Sequence, residues 1–248
     1  MEKKDDRKKE RLNKIIAESG IASRRGADKL ISSGLVMVNG LVEKRAGSKA
    51  SWGIDSIKVD GHPIPDPPKK IYLLLHKPFG YVSTLYDPQR RPIIRDLVTD
   101  IRDRVYPVGR LDFDSSGLLI LTNDGELAFR LMHPRFHIPR TYNVVVEGLI
   151  SNKSVDSLKG GIILDDGPTH PARVKIIERT KRRSILRITM FEGRSREIRR
   201  MCEAMGHKTL RLIRLRYGNL DLGDLMSGSY RHLTNVEVKG LRLSVGLD

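Results

Sequence analysis

The sequence predicts an α+β protein in two parts of unequal size, a small N-terminal module and a larger domain built on a largely antiparallel mixed sheet with a few packed helices. Three observations lead there. Two short helix-like segments followed by brief strand signals open the chain. Prolines 63, 65, 67 and 68, with Lys69 and Lys70, then make a segment that can be neither helix nor central strand. Beyond it, β-prone runs outnumber helical ones, and helical periodicity is convincing only at Glu126 to Met132 and Arg196 to Met205. The expected division is a charged flexible tail over 1–10, a module over 11–65, a linker over 66–70 and a large domain over 71–248.

In order along the chain, Leu12, Ile15 and Ile16 recur at helical spacing before Ser19-Gly20. Ser23 caps a second helix carrying Ala27, Leu30 and Ile31 that stops at Gly34. Leu35 to Val38 reads as a strand, Asn39-Gly40 as a two-residue hairpin turn and Leu41-Val42 as its return; Ser56 to Gly61 adds another strand and turn. In the large domain the strand signals lie at Ile71 to Leu75, Leu118 to Leu121, Tyr142 to Val146, Ile162 to Leu164, Val174 to Ile177 and Ile185 to Thr189.

Composition narrows the partner. Among 248 residues, 46 Lys and Arg face 30 Asp and Glu, a formal charge of +16, which points to a polyanion. No apolar run approaches the roughly 18 to 20 residues of a spanning helix, and no lipidation motif occurs, so nucleic acid is favoured over a membrane surface. The first eleven residues alternate basic and acidic types without an apolar stretch and do not read as a targeting peptide. Cys202 is the sole cysteine, which excludes an intramolecular disulfide and a multi-cysteine zinc site and suits a reducing cytoplasm.

The most informative run is Gly109-Arg110-Leu111-Asp112, continued by Phe113-Asp114-Ser115-Ser116-Gly117-Leu118 and ending in Thr122-Asn123-Asp124-Gly125. It fixes a carboxylate on a turn just before a buried strand, where a rigid element can aim it into a cleft. This run, Lys77-Pro78-x-Gly80, Tyr142 in Pro139-Arg140-Thr141-Tyr142, and Glu192-Gly193-Arg194-Ser195-Arg196-Glu197-Ile198-Arg199-Arg200-Met201 together resemble the RsuA/RluB family of ribosomal RNA pseudouridine synthases. Leu131-Met132-His133-Pro134 and Arg214-Leu215-Arg216-Tyr217-Gly218 resemble its RluB-like branch. The N-terminal pattern Arg11-Leu12-x-Lys14, Ser23-Arg24-Arg25, Leu30-Ile31, Gly34-x-Val36 and Val38-Asn39-Gly40 resembles the α-L, or S4-like, RNA-binding domain of a small-subunit ribosomal protein.

The resemblance implies a long sheet split by a central cleft, and cofactor-free isomerisation of uridine to pseudouridine in ribosomal RNA, with large-subunit (23S) RNA favoured over small-subunit (16S) RNA. It implies Asp112 as nucleophile or base, and Arg199 as its ion-pair partner. Tyr142, in a β-prone run, offers a ring for stacking and a hydroxyl for proton transfer. Arg110, a planar cation two residues from Asp112, is the candidate to fill the gap left when the target base leaves its stack. Arg24, Arg25 and Lys29, around the start of one helix, are candidate phosphate contacts, with Lys14 beside them. Arg194 to Arg216 holds eight Lys and Arg against two acidic residues, and its density suggests an RNA track through Arg194, Arg196 and Arg214. The expected partner is ribosomal RNA or an assembling ribosomal subunit, with no membrane, no obligatory protein partner and a monomeric chain.

Other chemistries fit less well. Asp112-x-Asp114-x-Ser116-Gly117 mimics a calcium loop, but its twelfth position is Asn123. A glycosidase pair is disfavoured because alternation along an extended segment would send Asp112 and Asp114 to opposite faces. His133 and His137 are interrupted by Pro134, so no metal site is expected. The remaining rival is a noncatalytic RNA-binding or ribosome-assembly protein with the same fold.

Overall fold

The computed structural model describes residues 9–248, in two compact units that divide between Lys70 and Ile71. Most of the charged N-terminal segment, residues 1–8, lies outside the described residues. Its last residue is not tail: Glu10–Arg11 (β1) pairs with Lys49–Ala50.

In the first unit, helices α1 (Leu12–Glu18) and α2 (Arg24–Ser32) bury Leu12, Ile15, Ile16, Ala27 and Ile31 against Val36, Ala50, Ile57 and Val59. Ser23 caps α2, its hydroxyl accepting from Gly26 N at 3.0 Å. A four-stranded sheet follows from β2 (Val36–Val38), β3 (Leu41–Val42), β5 (Ile57–Val59) and β6 (His62–Pro63), in the order β3-β2-β5-β6; β4 (Lys49–Ala50) is the partner of β1. Asn39 and Gly40 have φ of 51° and 82°, the positive pair that a two-residue hairpin turn demands.

The second unit runs β7 (Tyr72–Lys77), β8 (Tyr106–Pro107), β9 (Ser116–Thr122), α3 (Gly125–Met132), β10 (Arg140–Glu147), α4 (Asn152–Gly160), β11 (Ile163–Leu164), β12 (Gly167–Pro168), β13 (Arg173–Arg179), β14 (Arg183–Met190), α5 (Glu197–Ala204), β15 (Thr209–Tyr217), β16 (Leu220–Asp221), β17 (Tyr230–His232) and α6 (Asn235–Ser244). Its main sheet has the order β13-β14-β10-β15-β9-β7-β17. The pairings are antiparallel except at the middle. There β15 meets β9 in parallel over two residue pairs, Ile213 with Ser116 and Arg214 with Gly117. Two antiparallel halves thus join through a short parallel seam, and the strands part on either side of it.

Helices α4 and α5 cover one half, burying Val155, Leu158, Ile198, Met201 and Cys202 on Val144, Leu186 and Ile188. Helices α3 and α6 bury Leu127, Leu131 and Leu241 near Leu118, Ile120 and Tyr217. Every residue of β9 is buried, because Leu119 and Leu121 face a further cluster with Leu73, Leu75, Ile94 and Leu111. The Thr122-Asn123-Asp124-Gly125 run ends that strand by stapling. Thr122 Oγ1 donates to Ile71 O at 2.6 Å, Asn123 Oδ1 accepts from Ile71 N at 2.8 Å, and Asp124 accepts from Leu127 N to cap α3. Among the described residues no helix is long and apolar enough to cross a membrane.

Four elements differ from the sequence expectation. Ile163–Leu164 joins Gly167–Pro168 in a separate hairpin rather than the main sheet. Helices α4 and α6 were not predicted, nor was β15, whose arginines concealed a central strand.

Candidate active site

Lys77, at the end of β7, has no exposed surface. Its ammonium donates to three carbonyls, Pro78 O at 2.9 Å, Asp112 O at 3.0 Å and Ser115 O at 2.7 Å. Burial pushes it down to about 8, with the charge of Arg214 in the same direction and those of Asp112 and Asp114 opposing. Ser83 adds a second clamp: its hydroxyl donates to Leu111 O at 2.8 Å and accepts from Leu111 N at 3.1 Å. Both clamps act on backbone, leaving the Asp112 carboxylate, about a third exposed, free to project.

That carboxylate opens into a cavity of about 530 Å³, within the usual range of small-molecule sites. Tyr142, Arg110, Arg140, Arg196, Arg214 and Glu197 line it with Asp112. Tyr142 is half-buried on β10 and packs against the clusters of both halves of the sheet. Arg110 is exposed at the rim.

The cations are arranged otherwise than their sequence suggests. Arg199 does not pair with Asp112. Its guanidinium donates to Asp114 O at 2.6 Å, lies 3.3 Å from the Asp114 carboxylate and donates to Thr209 O, because its position on α5 aims it at the turn after Asp112. The nearest guanidinium to Asp112 is that of Arg196, 4.0 Å from Oδ2, which also holds both oxygens of Asp114 at 3.2 and 3.1 Å. Asp112 and Asp114 therefore share one cation rather than facing opposite ways. The segment is a turn, closed by Ser115 N donating to Asp112 O at 3.1 Å, so strand alternation does not apply. Burial raises Asp114, but the Arg196 hydrogen bonds and the Arg199 and Arg196 charges outweigh it and hold the carboxyl below its ordinary range.

Arg194 is not an open RNA contact either. It bonds Glu192 at 3.1 Å, Asp166 at 3.4 Å and the carbonyls of Gly167 and Pro168, fastening the β11–β12 hairpin beside α5. Arg214 is 2% exposed, within the seam of the sheet. A segment read as one RNA track is thus divided among a hairpin anchor, a helix and a central strand. On the N-terminal unit Arg24 and Arg25 are exposed at the start of α2, and Lys29 is exposed too but lies in the last turn of that helix rather than at its start; Lys14 is held by Glu10 at 2.6 Å and Glu18 at 3.8 Å.

Two features escaped the sequence reading. The first is the Lys77 clamp: Lys77-Pro78-x-Gly80 stood out as a motif, but nothing in the sequence tied its ammonium to the Asp112 turn. The second is the carboxyl pair of Glu192 and Glu197, where burial and the hydrogen bond to Glu192 push Glu197 up to about 7. Among the described residues no group of three or more His, Cys, Asp or Glu converges as metal ligands would.

The sequence profile of RNA pseudouridylate synthases matches residues 71–204, and that of the S4 domain matches residues 10–51. The chain belongs to the RNA pseudouridylate synthase family. An uncharacterized RNA pseudouridine synthase of Aquifex aeolicus is 44% identical over 96% of this chain and 95% of its own length. The ribosomal large subunit pseudouridine synthase B of Bacillus subtilis is 45% identical over 94% of this chain and 96% of its own. A solved pseudouridylate synthase structure, 31% identical, matches with a TM-score of 0.69 over 93% of this chain and 99% of that one. The α+β pseudouridine-synthase fold behind an S4 domain, expected from the motifs, is the one this family member has.

Proposed function

We propose that this pseudouridine synthase isomerises uridine in ribosomal RNA in the cytoplasm, with large-subunit RNA as substrate and Asp112 as nucleophile. The observation that carries the reading is a projecting carboxylate whose backbone is locked by Lys77 and Ser83 and whose surroundings are a cationic cavity. The large-subunit assignment rests on the Bacillus subtilis relative, matched over nearly its whole length.

Isomerisation breaks the bond between N1 of uracil and C1′ of ribose, turns the base and joins C5 to C1′; N1 gains a proton as C5 loses one. No electrons leave the substrate, so no redox cofactor is required. An ionised carboxylate must be presented without reorganisation, the base held, and water excluded. Arg196 lies 4.0 Å from the Asp112 carboxylate, and Arg199 acts one step removed by fixing Asp114 and its carbonyl. Tyr142 offers its ring to the extruded base, and Arg110, at the rim, offers a planar cation to the vacated stack. Arg24, Arg25 and Lys29 supply phosphate contacts at the S4 domain.

The test is tritium release from ribosomal RNA labelled at C5 of uridine, with large- and small-subunit RNA as separate substrates. Wild type is expected to release tritium from large-subunit RNA. Asp112→Asn should bind nearly as well and turn over at least about a thousandfold more slowly, roughly 4 kcal/mol of transition-state stabilisation. Near-normal turnover by Asp112→Asn refutes the nucleophile, and release from small-subunit RNA alone reassigns the substrate. Tight binding without release from either RNA or from assembly particles makes the chain a noncatalytic binding protein.

A further inference from the structure

Arg214 is the most buried arginine lining the cavity. It is 2% exposed and sits on β15 at the parallel seam, where its Nε donates to Leu118 O at 2.7 Å. Its Nη2 is buried and has no hydrogen-bond partner, and no carboxylate lies within ion-pair distance among the described residues. The Tyr217 ring, 5.3 Å from its Cζ, is shared with Arg140, whose Cζ is 5.0 Å from the same ring. Such a contact offsets only part of the desolvation of a buried guanidinium that has no carboxylate. Of the other guanidiniums lining this cavity, Arg194 is paired with Glu192 and Asp166 and Arg196 with Asp114, while Arg140, only half-buried, donates to Leu131 O and the Tyr217 hydroxyl. An apolar side chain at 214 would serve the fold at lower cost.

A cation kept partly unpaired in a low-dielectric cavity is suited to a charge that exists only during reaction. Pseudouridine formation makes one. When the C1′–N1 bond breaks, its electron pair stays on the base, and the negative charge spreads over N1, O2 and O4. Attack of Asp112 on the pyrimidine ring instead of the sugar also drives charge onto the ring oxygens. We propose that Arg214 is the electrostatic stabiliser of the uracil anion, donating to a ring oxygen once the base detaches. On the sugar route an Asp112 oxygen bonds C1′ as N1 leaves; C5 then bonds to C1′ as that oxygen–C1′ bond breaks, C5 releases its proton and N1 takes one up, so the base facing Arg214 is neutral again. This rests on the reading of the chain as a uridine isomerase through Asp112.

The inference predicts that dependence on Arg214 follows the basicity of the base. 5-Fluorouracil, made more acidic by fluorine, leaves as a more stable anion and needs less help. The experiment compares wild type, Arg214→Met and Arg214→Lys in single-turnover consumption of one RNA carrying uridine or 5-fluorouridine at the target, together with RNA affinity and thermal unfolding. Arg214→Met is expected to slow uridine consumption about a hundredfold or more. The slowing should be at least tenfold smaller for 5-fluorouridine, with affinity changed less than threefold. Arg214→Lys, which keeps the charge, should fall between and carry the same base dependence if the methionine variant does not fold. Equal slowing for both bases, a loss accounted for by affinity, or no loss in a folded variant overturns the proposal while leaving the isomerase reading intact. A wild type inactive on uridine overturns both.

Discussion

Replacing Lys77 with methionine keeps the length of the side chain and removes the ammonium that binds the Asp112 turn. Each of its three hydrogen bonds to carbonyls is of the charged kind, about 1.5 to 3 kcal/mol apiece. Against that gross gain stands the desolvation of a fully buried ammonium, several kcal/mol. Methionine recovers the desolvation cost but takes the ammonium from Pro78 O and Ser115 O and leaves Asp112 O with Ser115 N alone, so a net loss of about 2 to 4 kcal/mol is expected. Urea unfolding of the whole chain followed by far-ultraviolet circular dichroism measures it. Where the variant remains folded, tritium release should still fail, because the turn that aims Asp112 has lost its tie. The pH dependence has a definite sign: burial lowers Lys77 in the folded chain to about 8 from 10.5, so between those values the unfolded chain binds more protons. Wild-type stability should therefore rise relative to Lys77→Met as pH increases through that window. A stability change under about 1 kcal/mol, with turnover retained, refutes the clamp.

Gly117→Ala should cost about 4 kcal/mol or more in the same unfolding assay. Gly117 has φ +113°, and a Cβ there would overlap the backbone of Arg214, its nitrogen at 2.6 Å. Glu197→Gln should remove a pH slope in stability. Burial raises Glu197 from 4.5 to about 7, so the folded chain binds the extra proton between those values and wild-type stability falls as pH rises through them. Melting temperatures of both proteins at pH 5 and pH 8 check this. The triple variant Arg24→Gln, Arg25→Gln, Lys29→Gln should weaken RNA binding and make the slope of log affinity against log salt shallower by about 2 to 3. Lys14→Gln should change it little, since Lys14 is already engaged by Glu10 and Glu18.

Local chemistry was legible where one residue type has one structural use. Asn39-Gly40 makes the hairpin turn, Ser23 caps its helix, and β9 extends the apolar run by two residues at its start and one at its end. The separate hairpin at Ile163–Leu164 was not, because two β-branched or aliphatic residues cannot say which sheet they join. Helices α4 and α6 open on Ser151 and Thr234, good caps whose following residues are too polar to show a periodic face. Strand β15 was hidden differently. Its buried residues Leu212 and Arg214 are two apart, a register shift then moves the next to Tyr217, and the arginines at 211, 214 and 216 outweigh that broken period in any reading by charge.

Net charge sums cations that the fold treats in opposite ways. Between Arg194 and Arg216, Arg194 and Arg200 are tied to Asp165 and Asp166, Arg196 and Arg199 to Asp114, and Arg216 to Asp221. Each pair neutralises a charge that composition assigns to RNA, and two of them, Arg196 and Arg199 with Asp114, hold the loop bearing Asp112. The converse is Arg214, which no carboxylate neutralises and which water scarcely reaches. A surface arginine without a partner is cheap and says little about function. A buried one is a standing cost, and its position across the seam from Gly117, beside the same cavity as Asp112, is where the reaction would repay it.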